Sequence, residues 1–308
     1  MSLRSLTLVA LICAPNMIIA EVPRVAVDVP AVHSLVTQVM GDLGAPRAFM
    51  SPTASPHGYS LRPSEAAILA ESNLVIWSGA QLVPQIPDML TSLAPNAVSL
   101  ELMSQAGTET LAMRAFEDFG GEHGDDHDHD HDHDHSDPID PHAWLDPHNG
   151  VAWLGMISEA LSSADPDNAQ EYARNAKMAA DQLLQTERAI AERIAPVKGR
   201  TFATSHDAFQ YFENHFGLRT VATVSLANGG QPGARQLAKI RETLAQSKTR
   251  CILADTREST VLLGAVAESS NVSTAAVDPV GGDLPPGADL YASLLNNIAT
   301  ALIDCLSD

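Results

Sequence analysis

Apolar positions fall into alternating runs of two kinds. Residues 22–29 (VPRVAVDV) form a β-branched run and predict a first strand. Residues 31–43 place Val32, Leu35, Val36, Val39, Met40 and Leu43 on a helical period, which Gly44 stops. A Pro-, Gly- and Ser-rich loop follows until Pro63 opens a helix over 64–70. Strands are expected at 73–77 and 97–100 around a short helix at 87–93, and a further helix at 151–161. Asp165-Pro166 reads as an N-cap with Pro at the first helical position. The helix it opens should run to about Ala195 and end at Pro196 and Gly199, with Tyr172, Ala176, Ala179, Leu183, Ile190 and Ile194 on one apolar face. Strands at 201–204, 220–224, 251–254 and 273–277 then alternate with helices at 208–216, 233–246, 261–267 and 288–306. Strand–helix alternation twice over predicts two α/β lobes with mainly parallel sheets, 21–164 and 197–308, on either side of a linking helix at 165–196. Such a helix would be a rigid strut limiting hinge motion; the plainer reading is a long surface helix of one domain.

One stretch fits neither period. Residues 122–137 read EHGDDHDHDHDHDHSD and hold His123, His127, His129, His131, His133 and His135, half of the chain's twelve histidines. With no apolar side chain, the segment cannot join a packed core and is expected to be a solvated loop. Neutral imidazole binds zinc, copper and nickel, and carboxylate adds charge and oxygen donors. The run is internal and interleaved with aspartate, unlike an engineered tag, so an auxiliary metal-capture loop is the favoured reading over a merely acidic one.

At 308 residues there is room for two domains. The formal charge of −20, from 38 acids against 18 bases, argues against nucleic acid or an anionic membrane surface as partner. The N-terminus, MSLRSLTLVALICAPNMIIA, has a positive Arg4 and an apolar run from Leu6 to Cys13 too short to span a bilayer. Ile18-Ile19-Ala20 is a serviceable cleavage site, so residues 1–20 are expected to be a signal peptide and the protein exported. Lipid attachment at Cys13 is disfavoured because Ile12 stands where a small residue is wanted. No later apolar run looks long enough for a membrane span. Cleavage leaves Cys251 and Cys305, which in an oxidising compartment are most simply a disulfide tying a strand to the last helix. A cysteine metal pair is weaker, since neither has a histidine neighbour.

Several other residues are candidate ligands. His33, near the start of a helix, reads as a buried or capping histidine, and His148, beside Asn149-Gly150, as an exposed turn residue. His57 lies in a Pro-bounded loop, His142 beside Trp144, His206 just past a strand, and Asp278 just past another. Open parallel sheets bind ligands outside the carboxyl ends of their strands. Three His and one Asp would fill a tetrahedral zinc shell, although sequence spacing alone does not bring them together.

The segments SPHGYSLRPSE, DPHAWLDP, FATSHDAFQYFENHFGL and VDPVGG, in this order, resemble those of the ZnuA-type zinc-binding proteins of bacterial ABC importers. The resemblance covers essentially the whole mature chain. It implies two α/β lobes joined by a backbone helix, with metal in the interlobe cleft. By motif, His57, His142 and His206 are the implied metal ligands, and Asp278 matches a position that supplies a carboxylate in many relatives. Some zinc receptors carry an acid just before the first ligand histidine, where this chain has Pro56, leaving the fourth place to Asp278 or water. Manganese-binding relatives place glutamate at the third site; His206 there moves preference toward zinc. The family also often carries a disulfide near the C-terminus. The implied function is periplasmic capture of Zn2+ by a monomer and delivery to an ABC permease, without enzymatic activity. Two rivals are a zinc-dependent hydrolase and a periplasmic zinc buffer or chaperone without a transporter. Against the hydrolase, the chain has no HExxH motif and no glutamate beside the candidate ligands; Asp207, the nearest acid, reads as a residue that caps or orients the following helix.

Overall fold

Two four-stranded sheets, every strand pair parallel, carry the fold of this computed structural model. The structure describes residues 22–119, 138–258, 260–270 and 272–307; the expected signal peptide and the six histidines from His123 to His135 lie outside the described residues. In the first sheet, β1 (Val25–Val27) lies between β2 (Arg47–Ala48) and β3 (Leu74–Trp77), with β4 (Val98–Glu101) beyond β3. In the second, β5 (Thr201–His206) lies between β6 (Arg219–Ser225) and β7 (Cys251–Asp255), with β8 (Ser273–Val277) beyond β7. The two orders are the same. In each sheet, successive crossovers leave the first strand in opposite directions, which opens a crevice at the carboxyl ends. The helices are α1 (Pro30–Met40), α2 (Pro63–Glu71), α3 (Ile86–Leu93), α4 (Pro147–Ala164), α5 (Ala169–Ile194), α6 (Gln210–Phe216), α7 (Ala234–Ser247), α8 (Thr260–Ser270) and α9 (Leu290–Ser307).

The inner strands β1 and β3 are buried along their whole length, which is why they read as unbroken apolar runs. β2 has only two residues and lies at an edge, so it left no periodic trace. α1 ends at Gly41 in a positive-φ turn, and the apolar run continues as one 3-10 turn, Gly41–Leu43. α4 begins at Pro147, four residues before the expected start. The Asp146 side chain accepts from the His148 amide at 2.8 Å, the Asp-Pro device expected only at 165. His148 therefore sits in a first helical turn rather than a loop, though it is exposed as expected.

At 165 the chain first makes a 3-10 turn, Pro166–Asn168, and buried Asp165 accepts from Asn168 and from the Tyr172 hydroxyl. α5 then runs 26 residues, about 39 Å at 1.5 Å per residue. Its buried face is Tyr172, Ala176, Ala179, Leu183, Ile190 and Ile194, packed on α1, α4 and α9. One expectation needs correcting: α9, 18 residues long, is long and apolar enough by length and composition to cross a membrane. It is a core helix instead, burying Tyr291, Leu294, Leu295, Ile298 and Leu302 against α1, α5 and the second sheet.

One apolar core runs without a break from Val25, Leu35 and Ile76 through Ile190 and Leu295 to Phe202 and Leu253. A smaller core, including Ala203, Val224, Ile240 and Ile252, fills the far face of the second sheet. Cys251 of β7 and Cys305 of α9 form a disulfide, with Cα atoms 5.4 Å apart.

Candidate metal centre

Three stretches of chain, a loop, a 3-10 turn and a strand end, bring three histidines to one place. His57 follows β2 in a loop held by Tyr59, whose hydroxyl donates to Glu65 at 2.7 Å and lies 3.0 Å from the Phe49 carbonyl. Glu65 also accepts from the Arg62 amide, closing the start of α2. Gly58 takes φ +78°, a backbone turn that favours glycine directly after the histidine. The tyrosine, arginine and glutamate of SPHGYSLRPSE thus position the loop.

His142 begins a single 3-10 turn, Ala143–Leu145. Buried Asp140 accepts from the His142 amide at 3.0 Å and faces its Nδ1 at 2.8 Å. Trp144 buries its ring and donates from Nε1 to the Pro279 carbonyl at 2.9 Å, tying the first half to the VDPVGG segment of the second. His206 is the last residue of β5, beside the switch to β7. Its Nδ1 faces Glu258 Oε1 at 3.1 Å, just past the end of β7.

The result is a triangle of imidazoles. Ring centroids are 5.5 Å apart for His57 and His142, 5.0 Å for His57 and His206, and 5.1 Å for His142 and His206. One ligand atom from each lies within 4.8 Å of the other two. His142 and His206 are buried, and His57 is half-buried. With Asp140 and Glu258 on the two Nδ1 atoms, the Nε2 edges are left for the interior. His206 Nε2 is buried and has no hydrogen-bond partner, a state that costs about 1–3 kcal/mol unless something fills it. A divalent ion accepting three nitrogen lone pairs fits that gap.

The charges agree. Burial, and then repulsion from the other two imidazoles, drives the His57 pKa down to about 3. Burial also pushes His142 well below its ordinary value. Both rings are therefore neutral near pH 7, as metal binding requires. Burial pulls His206 down too, but Glu258, Asp255 and Asp207 outweigh it and raise its pKa. Burial raises Asp140 to about 7, against hydrogen bonding from the His142 amide and the charge of Arg114.

Asp278 does not join the three histidines. Its carboxylate is paired with Arg257, whose Nε donates to Oδ1 at 2.7 Å and whose NH2 group donates to Oδ2 at 2.9 Å; it also accepts from the Val280 and Asp283 amides. Arg257 goes on to donate to the Pro52 and Ala54 carbonyls at 2.6 and 2.7 Å. Asp207 does not cap α6 but is tied to it through an arginine. It is buried and paired with Arg114, which also holds Glu213 at 3.0 Å through two nitrogens. Asp140, Arg257 and Glu258 were not foreseen at the site. The Asp-Pro-His turn pointed to Asp140, whereas Glu258, 52 residues from His206, had no local signal.

Comparison with known proteins supplies the context. The family model described as zinc-uptake complex component A, periplasmic (ZnuA) matches residues 25–305. The high-affinity zinc uptake system protein ZnuA of Paracoccus denitrificans (strain Pd 1222) is 41% identical, covering 93% of each chain. A crystal structure of ZnuA superposes with a TM-score of 0.77 at 20% identity, covering 92% of this chain and 99% of that one. A Mn-bound periplasmic metal binding protein from candidatus Liberibacter asiaticus superposes at 0.72 with 18% identity, covering 92% and 99%. These two superpositions bear on the fold alone.

Proposed function

The chain belongs to the ZnuA family of periplasmic zinc-uptake components, and from that premise we propose that it binds Zn2+ between its two halves and delivers the ion to an ABC permease. Members of this family are solute-binding components of transporters, not enzymes, so the hydrolase reading is set aside. The observation that carries the proposal is the unpartnered, buried Nε2 of His206 facing two further neutral imidazoles. His57, His142 and His206 are the proposed ligands. Three nitrogen donors favour zinc over manganese, which prefers carboxylate and water; copper(II) would outbind zinc on raw affinity, so supply and geometry must assist.

The fourth position goes to Asp278 or water. For Asp278 to bind, it must leave Arg257, and the ion then replaces one positive partner with another. The segment carrying His123, His127, His129, His131, His133 and His135 is proposed to gather zinc loosely for the tight site. The family is periplasmic; with it goes the reading of a leader cut near Ala20 and a body divided into 21–164, 165–196 and 197–308.

Zinc titration against a chromophoric chelator tests the ligand set. Alanine at His57, His142 or His206 should abolish tight binding while leaving the weak loop sites. Tight binding that survives all three substitutions would overturn the assignment. Growth of a deletion strain under zinc chelation separates uptake from buffering. Only an uptake component is needed when zinc is scarce.

A further inference from the structure

We propose a second divalent-metal site on the face shared by α4, α5 and α6, with His148, Glu187 and His215 as ligands and Asp146 orienting His215. It shares no residue with the three-histidine centre and does not rest on the function proposed for it. One ligand atom from each of Asp146, His148 and His215 lies within 4.8 Å of the other two. Glu187 completes the group: its Oε1 is 3.0 Å from His215 Nε2 and 3.5 Å from His148 Nε2. Donors bound to a tetrahedral ion at 2.0–2.1 Å stand about 3.3 Å from one another. The two separations to Glu187 already approximate that shell.

The second site repeats the construction of the first. The chain reads Asp140-Pro141-His142 and, four residues after His142, Asp146-Pro147-His148. In both, the aspartate accepts from the amide of the histidine two residues on, at 3.0 Å and 2.8 Å. In both, the same carboxylate meets an imidazole Nδ1: Asp140 that of His142 at 2.8 Å, and Asp146 that of His215 at 2.9 Å. A carboxylate on Nδ1 fixes the ring and leaves Nε2 to the metal, the usual arrangement behind a metal-bound histidine.

A simple ion-pair latch would need His215 between Asp146 and Glu187 and nothing more. It does not account for His148, whose ring stands at 87° to that of His215 with centroids 4.5 Å apart and whose Nε2 faces the same Glu187 oxygen. Two imidazoles with carboxylate select zinc, copper or nickel over magnesium or calcium, which take oxygen ligands. The His148 side chain is 59% exposed and that of His215 only 9%. The ion would therefore enter from solvent on the His148 side, with water in its fourth position. Such a site is half-wet and should bind more weakly than the enclosed centre.

Crystals of the full mature chain grown with zinc, with diffraction recorded on both sides of the zinc edge, test this directly. The expected result is an anomalous peak about 2.0–2.2 Å from His148 Nε2, His215 Nε2 and a Glu187 oxygen. A peak at residues 57, 142 and 206 with none here, His215 remaining between its two carboxylates, would overturn the proposal. In solution, His148→Ala alters an exposed side chain that the fold does not need, and Glu187→Gln keeps shape while weakening the ligand. Each should remove one weak zinc equivalent from the titration of the full chain, leaving the tight equivalent and the loop unchanged. An unaltered number of equivalents in both variants would equally overturn it.

Discussion

His142 and His206 each have a carboxylate behind the ring, Asp140 at 2.8 Å and Glu258 at 3.1 Å. If those carboxylates set the direction of the two Nε2 lone pairs, Asp140→Asn should lower zinc affinity by roughly 10- to 100-fold, read by chelator competition, without unfolding the protein. His206 sets the pH response. Its pKa lies above the ordinary 6.5, because Glu258, Asp255 and Asp207 outweigh the effect of burial. The proton and the metal compete for it, so affinity should already be falling above pH 6.5 and continue to fall with acid; Glu258→Gln should move that fall to lower pH. Affinity measured across pH 5 to 8 in both proteins decides this. The three histidines were legible because each stands inside a short motif whose neighbours do local work: Tyr59 and Glu65 for the first, Asp140 and Trp144 for the second. The carboxylates behind the rings were harder to read. Glu258 meets His206 only because β5 and β7 are adjacent in the sheet, a fact about pairing that no spacing along the chain contains. Asp278 was read for the carboxylate it carries, not for the arginine that occupies it.

Among the elements, α9 packs on both the second sheet and α1 of the first half. Tyr291 is buried and donates from its hydroxyl to the Trp144 carbonyl at 2.6 Å, while its ring lies against Gly150 of α4. A methyl group at Gly150 would collide with that ring, so Gly150→Ala should destabilise the fold by about 1–3 kcal/mol in chemical denaturation. The same helix is fastened to β7 through Cys251–Cys305, across a separation of 54 residues. Replacing both cysteines by serine should cost about 4 kcal/mol by chain entropy alone, seen as a lower midpoint that added reductant no longer shifts. The six buried positions of helix α5 were legible, because 26 residues carry seven turns of periodic signal, although its start lies at Ala169, after a 3-10 turn, rather than at 165. The start of α4 was obscured because Asn149-Gly150 suggests a turn, although Gly150 is there to let Tyr291 approach. α9 was recognised as a helix, but its potential length for a membrane was missed, since burial rather than composition makes it a core helix.

At the scale of the whole molecule, Arg257 joins the halves: it pairs with Asp278 on its own side and donates to the Pro52 and Ala54 carbonyls on the other. Gly282 lies directly beneath that contact, where a Cβ would strike the Pro52 carbonyl and the Arg257 guanidinium. Gly282→Ala should therefore force the two halves apart at this rim and weaken zinc binding, detectable as a faster release of zinc to chelator. Because the apolar interior runs from the first sheet through α5 and α9 into the second, the halves are not independent melting units. Scanning calorimetry of the metal-free protein should give a single endotherm whose van't Hoff and calorimetric enthalpies agree. Such fusion has a cost and a benefit: neither half can settle before the C-terminal helix is in place, but once it is, neither half is left folded alone for a protease to trim.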